Sequence, residues 1–206
     1  IWISMFITWV LTGCIVVFIL LMPGFVGGVL GFSPFETTYF QMGGLVCIVS
    51  SCWLTGRLAD KHNPSTLCIL FSAGFAVSSV AFFSLLYTAA PVVSEVVLAY
   101  FATCFFAGIM NFCPIFMCDV FPARIRFSGI SFAYNIAYAL SGAFTPQLSF
   151  ALHAYAKTHP DTLGAMGLSA YIVFLALVSI GTALAMRRVY KNGGAAVSQM
   201  EFRPAP

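Results

Sequence analysis

Charge is what this chain lacks. Only 7% of its 206 residues are Asp, Glu, Lys or Arg, against roughly 25% in ordinary soluble proteins, which need charge on a water-facing surface. With 61% hydrophobic residues, a soluble domain is excluded and an integral membrane protein is expected. No acid or base lies in the middle of any apolar run. Because membrane-embedded charges usually mark proton relays, the chain shows no proton-coupling residue of its own. Seven cysteines are present, at 14, 47, 52, 68, 104, 113 and 118, yet none forms a CxxC pair. They read as small buried packing residues, with no disulfide framework and no metal site. His62, His153 and His159 fall at or beyond helix ends. No Ser/His or Glu/His arrangement lies at membrane depth, so neither an enzyme nor a cofactor is expected, and no nucleic acid partner.

What is present is a series of long uncharged runs: residues 1–35, 37–56, 62–94, 96–118, 127–156 and 162–186. A spanning helix needs about 20 apolar residues. The runs predict six transmembrane helices, at about 2–23, 37–56, 66–87, 95–118, 127–152 and 167–187, in one domain over 1–190. A membrane β-barrel needs short alternating segments instead. One set of helix ends carries eight basic residues (Arg57, Lys61, Arg124, Arg126, Arg187, Arg188, Lys191 and Arg203). The other carries Lys157 alone, beside Glu36, Glu95 and Asp161. By the positive-inside rule both termini are cytoplasmic, in a multi-pass protein of the cytoplasmic (inner) membrane. Residues 191–206 read as a disordered cytoplasmic tail. Beginning at Ile1, in or beside the first helix, the sequence reads as a fragment of a longer chain.

Polar side chains at helical spacing point to a cavity. The fifth span carries Ser128, Ser131, Tyr134, Tyr138, Ser141, Thr145 and Ser149 at steps of three and four, with Asn135 beside them. Such a stripe either faces water or bonds neighbouring helices; its length favours water. The fourth span offers Tyr100, Thr103 and Asn111, and Pro114 frees a backbone carbonyl there. The second offers Thr38, Gln41, Ser51 and Thr55, and the first Ser4, Thr8 and Thr12. Spans three and six are least polar and are expected at the periphery. Gln41, Asn111, Tyr134, Asn135 and Tyr138 are the candidate substrate-cavity residues. Pro23, Gly27, Gly28 and Pro114 are hinge candidates, with Pro23 marking either a gating break or a plain loop.

Two loops share the basic side, GRLADKHNPST (Gly56 to Thr66) and DVFPARIRFSG (Asp119 to Gly129). Asp60 is the only acid of the first. Docked at the start of the fifth helix, where the backbone carries about half a positive charge, it forms a breakable latch with Arg57, Arg124 and Arg126 around it.

Here the chain resembles the major facilitator superfamily. GRLADK is similar to that family's G-x-L-x-D-R/K loop. Val120 to Leu152 resembles the metabolite:H+ symporter branch (proline/betaine, α-ketoglutarate and shikimate transporters), with FP-x-R-x-R-[YF]-[ST]-G followed by Tyr134–Asn135 and Thr145–Pro146; LLMP (Leu20 to Pro23) fits as well. Asn63, Pro64 and Ser65 depart from the basic cluster that usually follows the loop signature, and Asp119 stands where Glu is common. The resemblance implies the C-terminal six-helix half of a twelve-helix transporter, with the N-terminal half missing here and helices one, two, four and five of the half lining the cavity. It implies a secondary active transporter, a symporter of a small polar organic solute such as an organic acid, amino acid or betaine. That solute moves by alternating access with H+ as coupling ion, and the lipid bilayer is the other partner. Two alternatives stand beside it: a truncated, non-transporting membrane remnant, and a half-size transporter acting as a homodimer.

Overall fold

A computed structural model describes residues 1–88, 90–158 and 163–191. They form six helical rods: α1 (Trp2–Leu30), α2 (Pro34–Ala59), α3 (Pro64–Leu86), α4 (Val93–Val120), α5 (Arg126–Thr158) and α6 (Leu163–Lys191). Five of them are long and apolar enough to cross a membrane. The exception is α5, which at 33 residues has the length but carries the polar stripe. The chain is thus an all-α, multi-pass membrane bundle. His159, Asp161 and the tail from 192 lie outside the described residues.

Local chemistry sets the rod ends. Ser33 and Glu36 form a reciprocal capping box at the start of α2, with Pro34 in its first turn; each satisfies an orphan amide of the other's backbone. Asn63 caps α3 by accepting from the Ser65 amide at 2.9 Å, again followed by proline. The triplet Asn63, Pro64 and Ser65 is therefore a helix-start signal. At the other end of α1, Gly31 takes a left-handed conformation (φ 69°) that closes the helix. The rod runs to Leu30, past the break expected at Pro23, because proline is tolerated in the first turn of the helical segment Met22–Leu30.

The neighbours follow a rule. α3 packs against α6, α1 against α4, α1 against α5 and α6, and α4 against α2 and α3. Exchanging the first three rods for the last three leaves this set of neighbours unchanged. The proline positions repeat too: Pro23 lies 21 residues past Trp2, and Pro114 lies 21 residues past Val93. Both prolines follow a departure from α geometry, a π-helical stretch at Ile15–Leu21 and a 3₁₀ stretch at Ala107–Asn111.

Pro23 has no N–H, so the carbonyl four residues back, Ile19, loses its α-helical donor, and that of Phe18, five back, its π-helical one. Water cannot replace them inside a bilayer, where each unmet group costs several kcal/mol. Two side chains supply the donors. Gln41 Nε2 of α2 donates to the Ile19 carbonyl at 3.0 Å, and Tyr100 Oη of α4 donates to that of Phe18 at 2.9 Å. Tyr100 is fully buried, its ring stacked on Phe40 with centroids 4.1 Å apart.

This generates a double-mutant cycle. Tyr100→Phe is expected to lower unfolding stability in detergent by about 1 kcal/mol, the usual worth of such a bond within a membrane. In a Pro23→Ala background, where residue 23 regains its N–H, the same change is expected to cost close to nothing. Equal costs in both backgrounds would show that the tyrosine acts by packing alone.

Candidate functional site

The 3₁₀ stretch of α4 is held by α2. A Cβ on Gly108 would meet Ser51 Oγ at 2.1 Å, so the two backbones approach where only glycine fits. One turn on, Asn111 Nδ2 donates to the Cys52 carbonyl at 3.1 Å and reaches Thr55 Oγ1 at 3.3 Å. Further along the same interface Gly44 lies under Tyr100, where an added Cβ would be 2.5 Å from the ring. A zip of small residues on α2 thus receives the aromatic and amide side chains of α4.

Beside the second break lies a pocket of about 350 Å³ lined by Leu11 of α1, Cys113, Pro114 and Met117 of α4, and Ile130 and Tyr134 of α5. Thr8 Oγ1 sits 3.7 Å from Cys113 Sγ on the α1–α4 side. Tyr134 stacks on Tyr138 at 5.5 Å with the rings 22° apart, and Tyr138 is exposed. Between them in sequence, Asn135 is exposed, and its one hydrogen bond among the described residues runs from Nδ2 to the Ser131 carbonyl of its own helix. Residue 135 stands about 14 Å along α5 from Arg126, at 1.5 Å per residue. Three of the five candidates, Tyr134, Asn135 and Tyr138, therefore share one open face next to the pocket.

The other two candidates are engaged elsewhere. The Gln41 amide nitrogen caps the first break and the Asn111 amide nitrogen ties α4 to α2. The α5 stripe also divides. Its far half is buried, with Ser141 bonded to the Trp9 carbonyl at 3.5 Å and Thr145 at 2.7 Å from Tyr171 Oη of α6. Only the half nearer Arg126 is open, so the expectation of a water-facing surface along the whole helix is corrected. In α1, Ser4, Thr8 and Thr12 are fully buried, and the threonines return their protons to carbonyls of their own helix. That is helix-packing chemistry.

At the basic rim, Arg126 Nε donates to the Phe121 carbonyl, and Arg57 lies 4.1 Å over the Trp53 ring. Neither pairs with Asp60, which is exposed with no side-chain partner among the described residues. The cysteines are all free; Cys14, Cys68, Cys104 and Cys113 are buried as expected, but Cys118 is exposed.

Sequence reasoning missed the role of Tyr100, although its distance from Pro23 left no local signal. It also missed a node at the opposite rim. Tyr87, just beyond α3, approaches His153 Nδ1 to 2.5 Å, and the imidazole stacks on Phe25 at 4.0 Å. Burial pushes the Tyr87 phenol up, so it keeps its proton, and the shared hydrogen bond and ring stack join the ends of α1, α3 and α5.

The close approach is testable. Gly108→Ala is expected to destabilise the detergent-solubilised protein by about 1–3 kcal/mol, the usual cost of overpacking. Adding Ser51→Gly, which removes the clashing side chain, is expected to recover much of the loss in a thermal-unfolding assay. No recovery would place the constraint elsewhere than at this crossing.

No family model, no curated protein and no solved structure matches the chain. Its geometry is that of a multi-pass α-helical membrane protein consistent with transport.

Proposed function

We propose that the chain is one six-helix half of a secondary active transporter, all six rods crossing the membrane with both ends on the cytoplasmic side. The observation that carries this reading is the pair of proline-broken rods at matching positions in two three-helix units. Three crossings per unit invert the second unit relative to the first, and broken helices at matching places are where repeat-built transporters form their sites. The Pro114 pocket and the open face of Tyr134, Asn135 and Tyr138 make up this half's share of the solute path. A lipid-facing Asn135 would leave its amide oxygen unmet at a cost of about 1–3 kcal/mol; water or a polar solute removes that cost. Stacked tyrosine faces suit a quaternary ammonium group, and the amide suits a carboxylate.

The finer reading, a metabolite:H+ symporter of the major facilitator superfamily, rests on the GRLADK loop and on Val120 to Leu152. In it the exposed faces of α2 and α5 meet a second six-helix body, and Asp60 closes on Arg124 and Arg126 in the alternate state. The coupling proton and the positive partner of an anionic solute come from that second body.

Asn135→Ala in the full-length protein is expected to reduce uptake of organic acids or betaines into proteoliposomes about tenfold, the worth of roughly one hydrogen bond to the solute. Expression should be unchanged, since the side chain is exposed and makes no hydrogen bond to another helix among the described residues. Undiminished uptake would return Asn135 to a bystander role and remove the α5 face from the path. For the latch, Asp60→Asn is expected to alter the thiol-reagent accessibility of Cys118; an accessibility identical to the parent protein's would rule it out.

A further inference from the structure

At the basic rim, away from the proposed solute path, a pocket of about 430 Å³ opens between the start of α3 and the end of α6. It is lined by Asn63 and Thr66 from the first and by Arg187, Tyr190 and Lys191 from the second. Arg187 Nη2 donates to Thr66 Oγ1 at 2.8 Å, which ties the two walls together and holds the guanidinium at the pocket. Lys191, one helical turn further on, is exposed and has no partner among the described residues. One acid, Asp119 of α4, reaches a residue of the pocket wall. It does not line the pocket and accepts the Tyr190 hydroxyl at 2.5 Å. The first amides of α3 are already used: Ser65 donates to Asn63 Oδ1, and Thr66 and Leu67 donate to the Asn63 carbonyl. What the pocket offers is therefore two side-chain cations a turn apart, with amide and hydroxyl groups opposite them. Both cations sit at the end of a 26-residue span, the depth of the phosphate layer of a bilayer.

We propose that this pocket is a phosphate-monoanion site, filled by the headgroup phosphate of an anionic lipid. Arg187 presents a planar fork that matches phosphate oxygens, and Lys191 adds a point charge. A pocket walled by α3 and α6 admits a headgroup whose acyl chains stay in the membrane alongside those two rods. The site needs only the membrane placement of α6 and stands whether or not the chain transports anything.

The test uses the full chain, purified in a neutral detergent and incubated separately with phosphatidylglycerol, phosphatidylcholine and inorganic phosphate. Retention is read by native mass spectrometry and the shift of the melting temperature. Each cation near a bilayer surface is worth about fivefold in anionic-lipid affinity. Phosphatidylglycerol is thus expected to be retained over phosphatidylcholine. Lys191→Gln is expected to cut that preference about fivefold, and the double change with Arg187→Gln about 25-fold. Should the double variant fold poorly, Lys191→Gln alone decides, because that side chain supports no contact. Protection by inorganic phosphate equal to that by phosphatidylglycerol would keep the anion site but make free phosphate its source. A preference that persists in Lys191→Gln, or no preference in the parent protein, overturns the proposal.

Discussion

The bundle depends on the N–H that Pro23 does not have. A proline inside a soluble helix exposes carbonyls that water can serve; one inside a bilayer must find protein donors. Here the donors come from two other rods, Gln41 of α2 and Tyr100 of α4. Because both must reach adjacent carbonyls of one helical turn, the rotation and height of α2 and α4 relative to α1 are set together. Tyr100 can lie flat in the core only because Gly44 leaves room for its ring and Phe40 stacks on the ring. Gly44 is thus tied to the carbonyl that Pro23 frees in α1.

The same logic explains where polar groups are found. Most hydroxyls within the rods are spent on backbone carbonyls: Thr8, Thr12, Thr55, Ser72 and Thr103 bond carbonyls of their own helices. Ser72 also bonds Ser179 across the α3–α6 contact at 2.8 Å. Such groups add helix contacts and offer nothing to a solute. Against that background Asn135 stands out, because a side chain with two polar ends has only one of them bonded and faces outward. Along the outer face of α2 the contrast is complete, with Phe35, Tyr39, Met42, Val46, Val49 and Trp53 all exposed. α2 thus presents an apolar outer face, and the half of α5 nearer Arg126 a partly polar one.

Much of this was legible in the sequence. Charge-free runs located the rods because a bilayer imposes a length and forbids charge within it. Pro23 and Pro114 stand next to the two departures from α geometry because a missing N–H is a local fact. Side-chain partnership was not legible. Gln41 and Asn135 have the same chemistry, and only the fold shows that the first caps a carbonyl 22 positions away while the second caps nothing beyond its own turn. Period alone likewise could not divide the α5 stripe, since a helix presents the same face to a neighbour near one end and to open space near the other. The polarity that keeps α5 from being apolar enough to qualify as a span by itself comes partly from groups, such as Ser141 and Thr145, that are satisfied inside the bundle.

The breaks also bear on how such a body can move. A proline break acts as a hinge when its freed carbonyls are served by water or by nothing, since bending then costs no bond. Here bending α1 at Pro23 would strain the bonds of Ile19 to Gln41 and of Phe18 to Tyr100, beside Gly27, where an added Cβ would lie 2.9 Å from the Thr37 hydroxyl. Bending α4 at Pro114 would part Asn111 from Cys52 and Thr55. One rod, α2, holds both breaks, so neither can open without disturbing the helix that braces the other. On the proposed transport reading, the motion that exposes the pocket to either side is a rocking of the six rods as one unit.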